Sequence, residues 1–204
     1  MDVQELAPGL WRWTAFHPEW KEEVGSVYYE APDAVVLVDP LVPQDEPKRF
    51  WSALDRDIER RAKPVHVLIT TFWHTRSARE VAERYGAHVW APSRGRGAIE
   101  RRARTVTDVF RPDDELPGGV VPAKTARGAE VVFWIPTHKS LVTGDVIIGG
   151  LKLCPKSWLP EKVSLDQLRD SLRPLLELPV ERVLVSHGDP VLSGGREALV
   201  QILS

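Results

Sequence analysis

The chain has 204 residues, of which 43% are hydrophobic and 27% are charged, so it has enough apolar side chains for a substantial core. Its formal net charge is −2, which gives no overall attraction to nucleic acid or to an anionic lipid surface. Cys154 is the only cysteine, which excludes an intramolecular disulfide and a cysteine-rich zinc module.

The first half of the chain alternates strand-like and helix-like segments. β-Branched and aromatic stretches between turn residues predict strands at residues 9–16, 25–30, 34–39, 65–71 and 87–90. Asp45 as a cap and Pro47 in the first turn predict a helix, because the apolar residues that follow share one helical face. Ser77 and Glu80 have capping-box spacing and predict a second helix that ends near Gly86. A third helix is predicted at residues 93–104.

The second half repeats this arrangement. Strands are predicted at residues 120–124, 131–135, 141–143 and 183–186. Ser164 and Gln167 form another capping-box pair, and Pro174 should kink or end the helix that they begin. A last helix is predicted at residues 195–203. Two groups of strands, each followed by helices, predict an α/β fold: a four-layer αββα sandwich of two mixed sheets, formed as one domain by residues 1–204.

The sequence also predicts where in the cell the protein is found. No apolar run approaches the ~20 residues that span a bilayer, and the first residues lack the basic and then apolar pattern of a secretory signal. We therefore expect a cytoplasmic protein that has no membrane partner.

Polar residues follow several predicted strands directly. They are Asp39, the segment 71–76, the triplet Thr143-Gly144-Asp145 and the triplet Ser186-His187-Gly188. Because ligands of α/β folds bind where loops leave the carboxyl ends of strands, we expect these residues to line one edge of the sandwich.

In this order, the segments resemble the metallo-β-lactamase superfamily. The aspartate that ends an early strand of that family resembles Asp39, its Thr-Gly-Asp resembles 143–145, and its terminal strand-His-Gly resembles 186–188. The resemblance implies a site for two metal ions at the strand ends, and it implies that His187 lies within a few ångströms of Asp145.

The principal signature of the family, His-x-His-x-Asp-His, is degenerate here. In one register its ligand positions fall on Thr71, Trp73, Thr75 and Arg76, and in the next register they fall on Phe72, His74, Arg76 and Ser77. The family's next histidine should lie between Pro122 and Gly128, where the chain has none. We therefore expect no bound metal and assign no catalytic residue. The alternative is one divalent metal, such as zinc, held by His74, Asp145 and His187.

Three functions compete. The first is a member of the superfamily without the dinuclear hydrolase centre, whose vestigial cleft binds an anionic small molecule through Arg76 and either Lys124 or Arg127. The second is a single-metal hydrolase of an ester, a thioester or a phosphodiester. The third is a nucleic-acid-binding module that uses the arginines from Arg94 to Arg104, which the net charge disfavours. The sequence does not predict the oligomeric state.

Two side chains of the degenerate signature carry further expectations. Trp73, beside His74, should roof a pocket. Because a buried carboxylate needs a cationic partner, Arg76 should turn into the site and pair with Asp145, directly or through one water, in place of the missing metal. The alternative is an Arg76 that points into solvent at the start of the following helix.

Overall fold

The computed structural model describes residues 1–112 and 114–204 and contains two mixed β-sheets. Seven strands form the first sheet, in the same order in space as along the chain: β1 (Asp2–Ala7), β2 (Leu10–His17), β3 (Glu22–Glu30), β4 (Val35–Val38), β5 (Val65–Leu68), β6 (His88–Pro92) and β7 (Asp108–Phe110). Strands β1 to β4 are antiparallel, whereas β4 to β7 are parallel. The carboxyl ends of β4, β5 and β6 therefore meet at one edge.

The second sheet has four strands in the spatial order β13 (Arg182–Val185), β10 (Ser140–Thr143), β9 (Val131–Ile135) and β8 (Val121–Lys124). Strands β10 and β13 are parallel, and the other pairs are antiparallel. A separate ribbon pairs β11 (Ile147–Ile148) with β12 (Lys152–Leu153).

Helices connect and cover these strands. In the described part of the chain, the α-helices are α1 (Pro47–Arg61), α2 (Ala78–Tyr85), α3 (Arg96–Ala103), α4 (Leu165–Leu172) and α5 (Gly195–Leu203). Short 3-10 turns lie at Phe72–Thr75, Pro117–Gly119, Pro136–His138, Lys156–Trp158 and Arg173–Glu177. Among the described residues, no helix combines the length and the apolar character that a membrane crossing requires.

Three hydrophobic clusters define the layers. In β4, Leu37 packs in a cluster with Phe50 of α1, whereas its neighbour Val36 packs in the cluster between the two sheets. In β9, Phe133 packs in that central cluster, whereas Trp134 packs in a third cluster with residues of α4 and α5. Alternate side chains of each strand thus face opposite sides of their sheet. The layers follow the order helices, sheet, sheet, helices, which confirms the predicted αββα sandwich.

Helix starts agree with the sequence only in part. The Ser164 hydroxyl accepts a hydrogen bond from the amide of Gln167, as predicted, and α4 ends before Pro174. The cap predicted at Asp45 is wrong: Glu46 holds the N-cap position of α1, and neither side chain caps it. The capping box predicted at Ser77 is also wrong, because the Ser77 hydroxyl accepts a hydrogen bond from the amide of Val42 instead.

The two sheets are joined directly at the edge that carries the predicted polar loops. The amide of Gly25 in β3 donates a hydrogen bond of 2.7 Å to the carbonyl of Ser186, just after β13. The Arg12 guanidinium of β2 crosses the same gap to the carbonyl of Val185. A side chain at position 25 would place its Cβ only 2.7 Å from the Arg12 guanidinium and from the Val185 carbonyl, so this junction requires glycine.

Candidate functional site

Four of the predicted residues come together where the strands end. Asp39 follows β4, His74 lies in the 3-10 turn after β5, Asp145 follows β10, and His187 follows β13. All four side chains are buried. His187 Nε2 lies 3.1 Å from Asp145 Oδ1, which confirms the predicted proximity.

His74 lies between two carboxylates. Its Nδ1 is 2.8 Å from Asp39 Oδ2, and its Nε2 is 3.0 Å from Asp145 Oδ1. The amide of Thr70 donates a further hydrogen bond to Asp39, which fixes that carboxylate. His74 Nε2 is fully buried, and its geometry toward the described residues is not that of a hydrogen bond. Asp39 therefore orients the imidazole so that Nε2 faces the Asp145 carboxylate at an ion-pair distance. A histidine at this place favours the second of the two sequence registers.

Neighbouring charges shift the pKa values of both His74 and Asp145. Burial and the nearby Arg76 oppose a charge on His74, but Asp39 and Asp145 outweigh them and raise its pKa. Burial opposes ionisation of Asp145 as well, but the charge of His74, the hydrogen bond from His187 and the charge of Arg127 hold the pKa of that carboxyl well below its usual range. Asp145 is therefore a carboxylate, and the site attracts positive charge.

Arg127 supplies a permanent positive charge beside Asp145. Its Nη1 lies 3.2 Å from Asp145 Oδ2 and 2.6 Å from Glu130 Oε2. The other oxygen of Glu130 accepts hydrogen bonds from the amides of Asp145, at 2.6 Å, and Val146, at 2.8 Å. Burial raises the pKa of Glu130 to about 7. The two carboxylates outweigh the effect of burial on Arg127 and raise its pKa, so the guanidinium stays charged.

Arg76 makes no direct pair with Asp145, and it does not point into solvent. Its side chain is half-buried, and its guanidinium donates hydrogen bonds to the carbonyls of Gly25, at 2.7 Å, and Asp39, at 2.9 Å, and to the hydroxyl of Ser186. Within the described part of the chain, the arginine that pairs with Asp145 is Arg127. Burial lowers the pKa of Arg76 to about 10, which still leaves it charged at neutral pH.

Arg76→Ala is expected to lower the free energy of unfolding by about 2–3 kcal/mol, because it removes charge-assisted hydrogen bonds to two buried carbonyls. Arg56, an exposed arginine of α1, is the matched control, and Arg56→Ala should change stability by less than about 0.5 kcal/mol. Urea unfolding followed by circular dichroism measures both variants. Equal, small effects would show that Arg76 does not hold these loops together.

A cavity of about 500 Å³ opens beside the buried residues. It is lined by Trp20, Glu22, Trp73, Arg127, Asp145, Ser157, Trp158 and His187. Trp73 lines it as predicted, and the guanidinium carbon of Arg102 lies 4.3 Å from the centre of a Trp73 ring. Lys124, predicted as an alternative anion contact in this cleft, lines a different cavity.

Several site residues escaped the sequence reasoning. Glu130 lies one residue before the apolar strand β9, and an acidic residue beside such a strand was the available signal. Glu22 begins β3, and its Oε1 lies 3.2 Å from His187 Nδ1. Trp20 and Trp158 come from separate loops, and each has a ring centre 5.8 Å from that of His187. No local pattern links either tryptophan to the site.

The three residues of the single-metal alternative form a compact group. One ligand atom from each of His74, Asp145 and His187 can be chosen so that all three lie within 4.8 Å of one another. Two imidazoles and one carboxylate are a ligand set typical of sites that hold one divalent metal. The geometry therefore brings together the residues that the single-metal alternative requires.

Known proteins resemble this chain in sequence pattern and in fold. The sequence profile described as "Metallo-beta-lactamase superfamily" matches residues 22–187. The DIM-1 metallo-beta-lactamase exposed to ceftazidime superposes with a TM-score of 0.72 at 11% identity, covering 99% of this chain and 95% of that one. A metallo-beta-lactamase from Hirschia baltica gives 0.69 at 17% identity, with the same coverages. One from Erythrobacter litoralis, with beta mercaptoethanol in its active site, gives 0.71 at 14% identity, covering 98% and 95%. No curated protein sequence matches significantly.

Proposed function

The chain belongs to the metallo-β-lactamase superfamily, and from that premise we propose that it is a single-metal hydrolase rather than a dinuclear one. One divalent metal would be held by His74, Asp145 and His187, with the guanidinium of Arg127 in place of a second ion. The substrate class is an ester, a thioester or a phosphodiester. The observation that carries this proposal is the convergence of two imidazole nitrogens on one carboxylate oxygen.

The residues fit a zinc-like ion. Tetrahedral bonds of about 2.0–2.1 Å put neighbouring ligand atoms roughly 3.3 Å apart. Asp145 Oδ1 lies 3.0 Å from His74 Nε2 and 3.1 Å from His187 Nε2, close to that spacing. His74 Nε2 is buried without a hydrogen-bond partner among the described residues, as expected of a ligand atom. Asp39 holds the opposite nitrogen, as an outer carboxylate does for a metal-binding histidine.

Charge balance supports one ion instead of two. Four carboxylates lie in or beside the site, those of Glu22, Asp39, Glu130 and Asp145. Arg76 and Arg127 balance two of them, which leaves a formal excess of two negative charges when the histidines are neutral and Glu130 is ionised. A single divalent cation neutralises this excess. A second one would have to approach the guanidinium of Arg127, which costs electrostatic energy.

The chain's own residues suit hydrolysis of a small substrate. When bound, a divalent metal would act as a Lewis acid on a carbonyl or phosphoryl oxygen. Arg127 faces the cavity and can donate hydrogen bonds to negative charge that develops on the substrate. Trp20, Trp73 and Trp158 line the same space, where they would hold the apolar part of the substrate and exclude water.

A metal-free function is the second candidate, and the raised pKa of His74 favours it. A protonated His74 between Asp39 and Asp145, together with Arg127, would supply the positive charge that metals provide elsewhere in the superfamily. The cleft would then bind an anionic small molecule without hydrolysing it, with Arg127 as the contact.

Metal titration tests the proposal. We expect tag-free, chelator-treated protein to bind one equivalent of Zn²⁺ or Mn²⁺ in isothermal titration calorimetry. Saturation at 100 times Kd should raise the free energy of unfolding by about 2.7 kcal/mol. Loaded protein should hydrolyse at least one of three chromogenic probes: a nitrophenyl ester, a thioester or a nitrophenyl phosphodiester. Two equivalents would contradict the role of Arg127. Absence of binding would leave the metal-free candidate.

A further inference from the structure

A second cavity, of about 470 Å³, is bordered by the loop that carries Arg127. Three separate segments form its walls: the turn after β6 with Ser93 and Arg94, the residues after β7 with Arg111, and the end of β8 with Lys124 and Thr125 of the turn that follows. The described linings of the two cavities share no residue, although Glu130 in this wall also holds the amide of Asp145.

The walls of this cavity carry unbalanced positive charge. Arg94, Arg111 and Lys124 are exposed, and no ion pair joins any of them to a residue that the structure describes. Among the described residues of the lining, the only carboxylate is that of Glu130, which Arg127 and two amides already engage. Three cations from distant segments thus meet at one concave surface, and no ion pair between described residues neutralises them.

We propose that this cavity binds a phosphorylated small molecule. The two guanidinium groups can each give parallel hydrogen bonds to phosphate oxygens, and the Lys124 ammonium adds a point charge. The Ser93 hydroxyl, which is exposed at the rim, is a further donor. Three cations exceed what a single carboxylate requires, which points to a doubly or multiply charged phosphate group.

The lining of the cavity favours a small molecule over a nucleic acid. Bound single strands use aromatic side chains as stacking platforms along an extended groove. No aromatic residue is found in the described lining of this cavity. The remaining arginines of the 94–104 segment do not converge on it: Arg102 stacks on Trp73, and Arg101 is exposed on α3. The cavity therefore uses only the first arginine of that segment.

Calorimetric titration with inorganic pyrophosphate, in a phosphate-free buffer without added metal, tests this site. We expect saturable binding with one pyrophosphate per chain. Arg94→Ala, Arg111→Ala and Lys124→Ala should each weaken it by about tenfold or more, because each removes a charged contact worth that much. All three side chains are exposed, so the melting temperatures should not change.

Two variants serve as controls. Arg101→Ala, an exposed arginine of α3 outside the cavity, should bind pyrophosphate as the unmodified protein does. His187→Ala should also leave binding unchanged, which separates this cavity from the metal site. The proposal is overturned if pyrophosphate does not saturate, if Arg101→Ala weakens binding as much as Arg94→Ala, or if His187→Ala abolishes it. Tighter binding of a short oligothymidylate than of pyrophosphate would also overturn it, in favour of a nucleic-acid surface.

Discussion

Replacing Glu130 with alanine is expected to lower the free energy of unfolding by about 3–5 kcal/mol, because it breaks a buried ion pair from one side. The Glu130 side chain is 1% exposed and accepts hydrogen bonds from the amides of Asp145 and Val146 while it pairs with Arg127. Its loss leaves two amides without their acceptor and leaves the buried guanidinium with Asp145 alone. Urea unfolding measures the change.

Matched variants separate this mechanism from a general effect of losing a glutamate. Glu83, on α2, has a side chain that is 62% exposed and pairs with Arg79, so Glu83→Ala should cost no more than about 1 kcal/mol. The double variant Glu130→Ala with Arg127→Met should recover part of the loss, since it removes the unbalanced charge. Fully additive effects would contradict the described ion pair.

Replacing His187 with alanine should weaken metal binding by more than the 10–100-fold that removal of an outer-sphere partner costs, because it deletes one of the three proposed protein ligands. Asp39→Asn changes such an outer partner: it leaves both Nε2 atoms in place but weakens the hold on His74. Its effect should stay within that 10–100-fold range. Titration with Zn²⁺ measures both variants against the unmodified protein.

His88 provides the control for the loss of a histidine as such. It begins β6, at the end of the strand away from the site, where it pairs with Asp108. Its replacement with alanine should leave metal affinity unchanged. If His88→Ala and His187→Ala reduced affinity equally, or if His187→Ala bound Zn²⁺ normally, the ligand set would be a different one.

Much of the fold follows from local patterns in the sequence. Strand β9 and helix α5 occupy the predicted residues, because an apolar run and a helical repeat are visible within each segment alone. Strands β1 and β7 went unpredicted. β1 is an edge strand with mostly exposed side chains, and β7 has only three residues, so neither carries a clear alternating pattern.

The site was predictable in its loops but not in the direction of its side chains. Asp39, His74, Asp145 and His187 lie together because the order of strands places their loops at one edge. Arg76 does not face Asp145 as predicted, because its backbone, at φ 34°, turns the side chain beneath the neighbouring loops. No sequence motif reveals that backbone conformation. The cation that pairs with Asp145 is Arg127, which lies in the turn between β8 and β9 of the second sheet.

The backbone junction between Gly25 and Ser186 has a consequence for motion. It joins the two sheets at the edge where the ligand atoms converge, so the scaffold there is fixed before any ligand arrives. The Gly25 amide should therefore exchange its proton for deuterium only through global opening. Bound metal should then raise the free energy of opening measured at this amide by the same amount as it raises the global free energy of unfolding. Amides around Trp73 and Trp158, whose side chains are partly exposed, should exchange through local fluctuations. Ligand entry would then depend on movement of these aromatic loops and not on separation of the sheets.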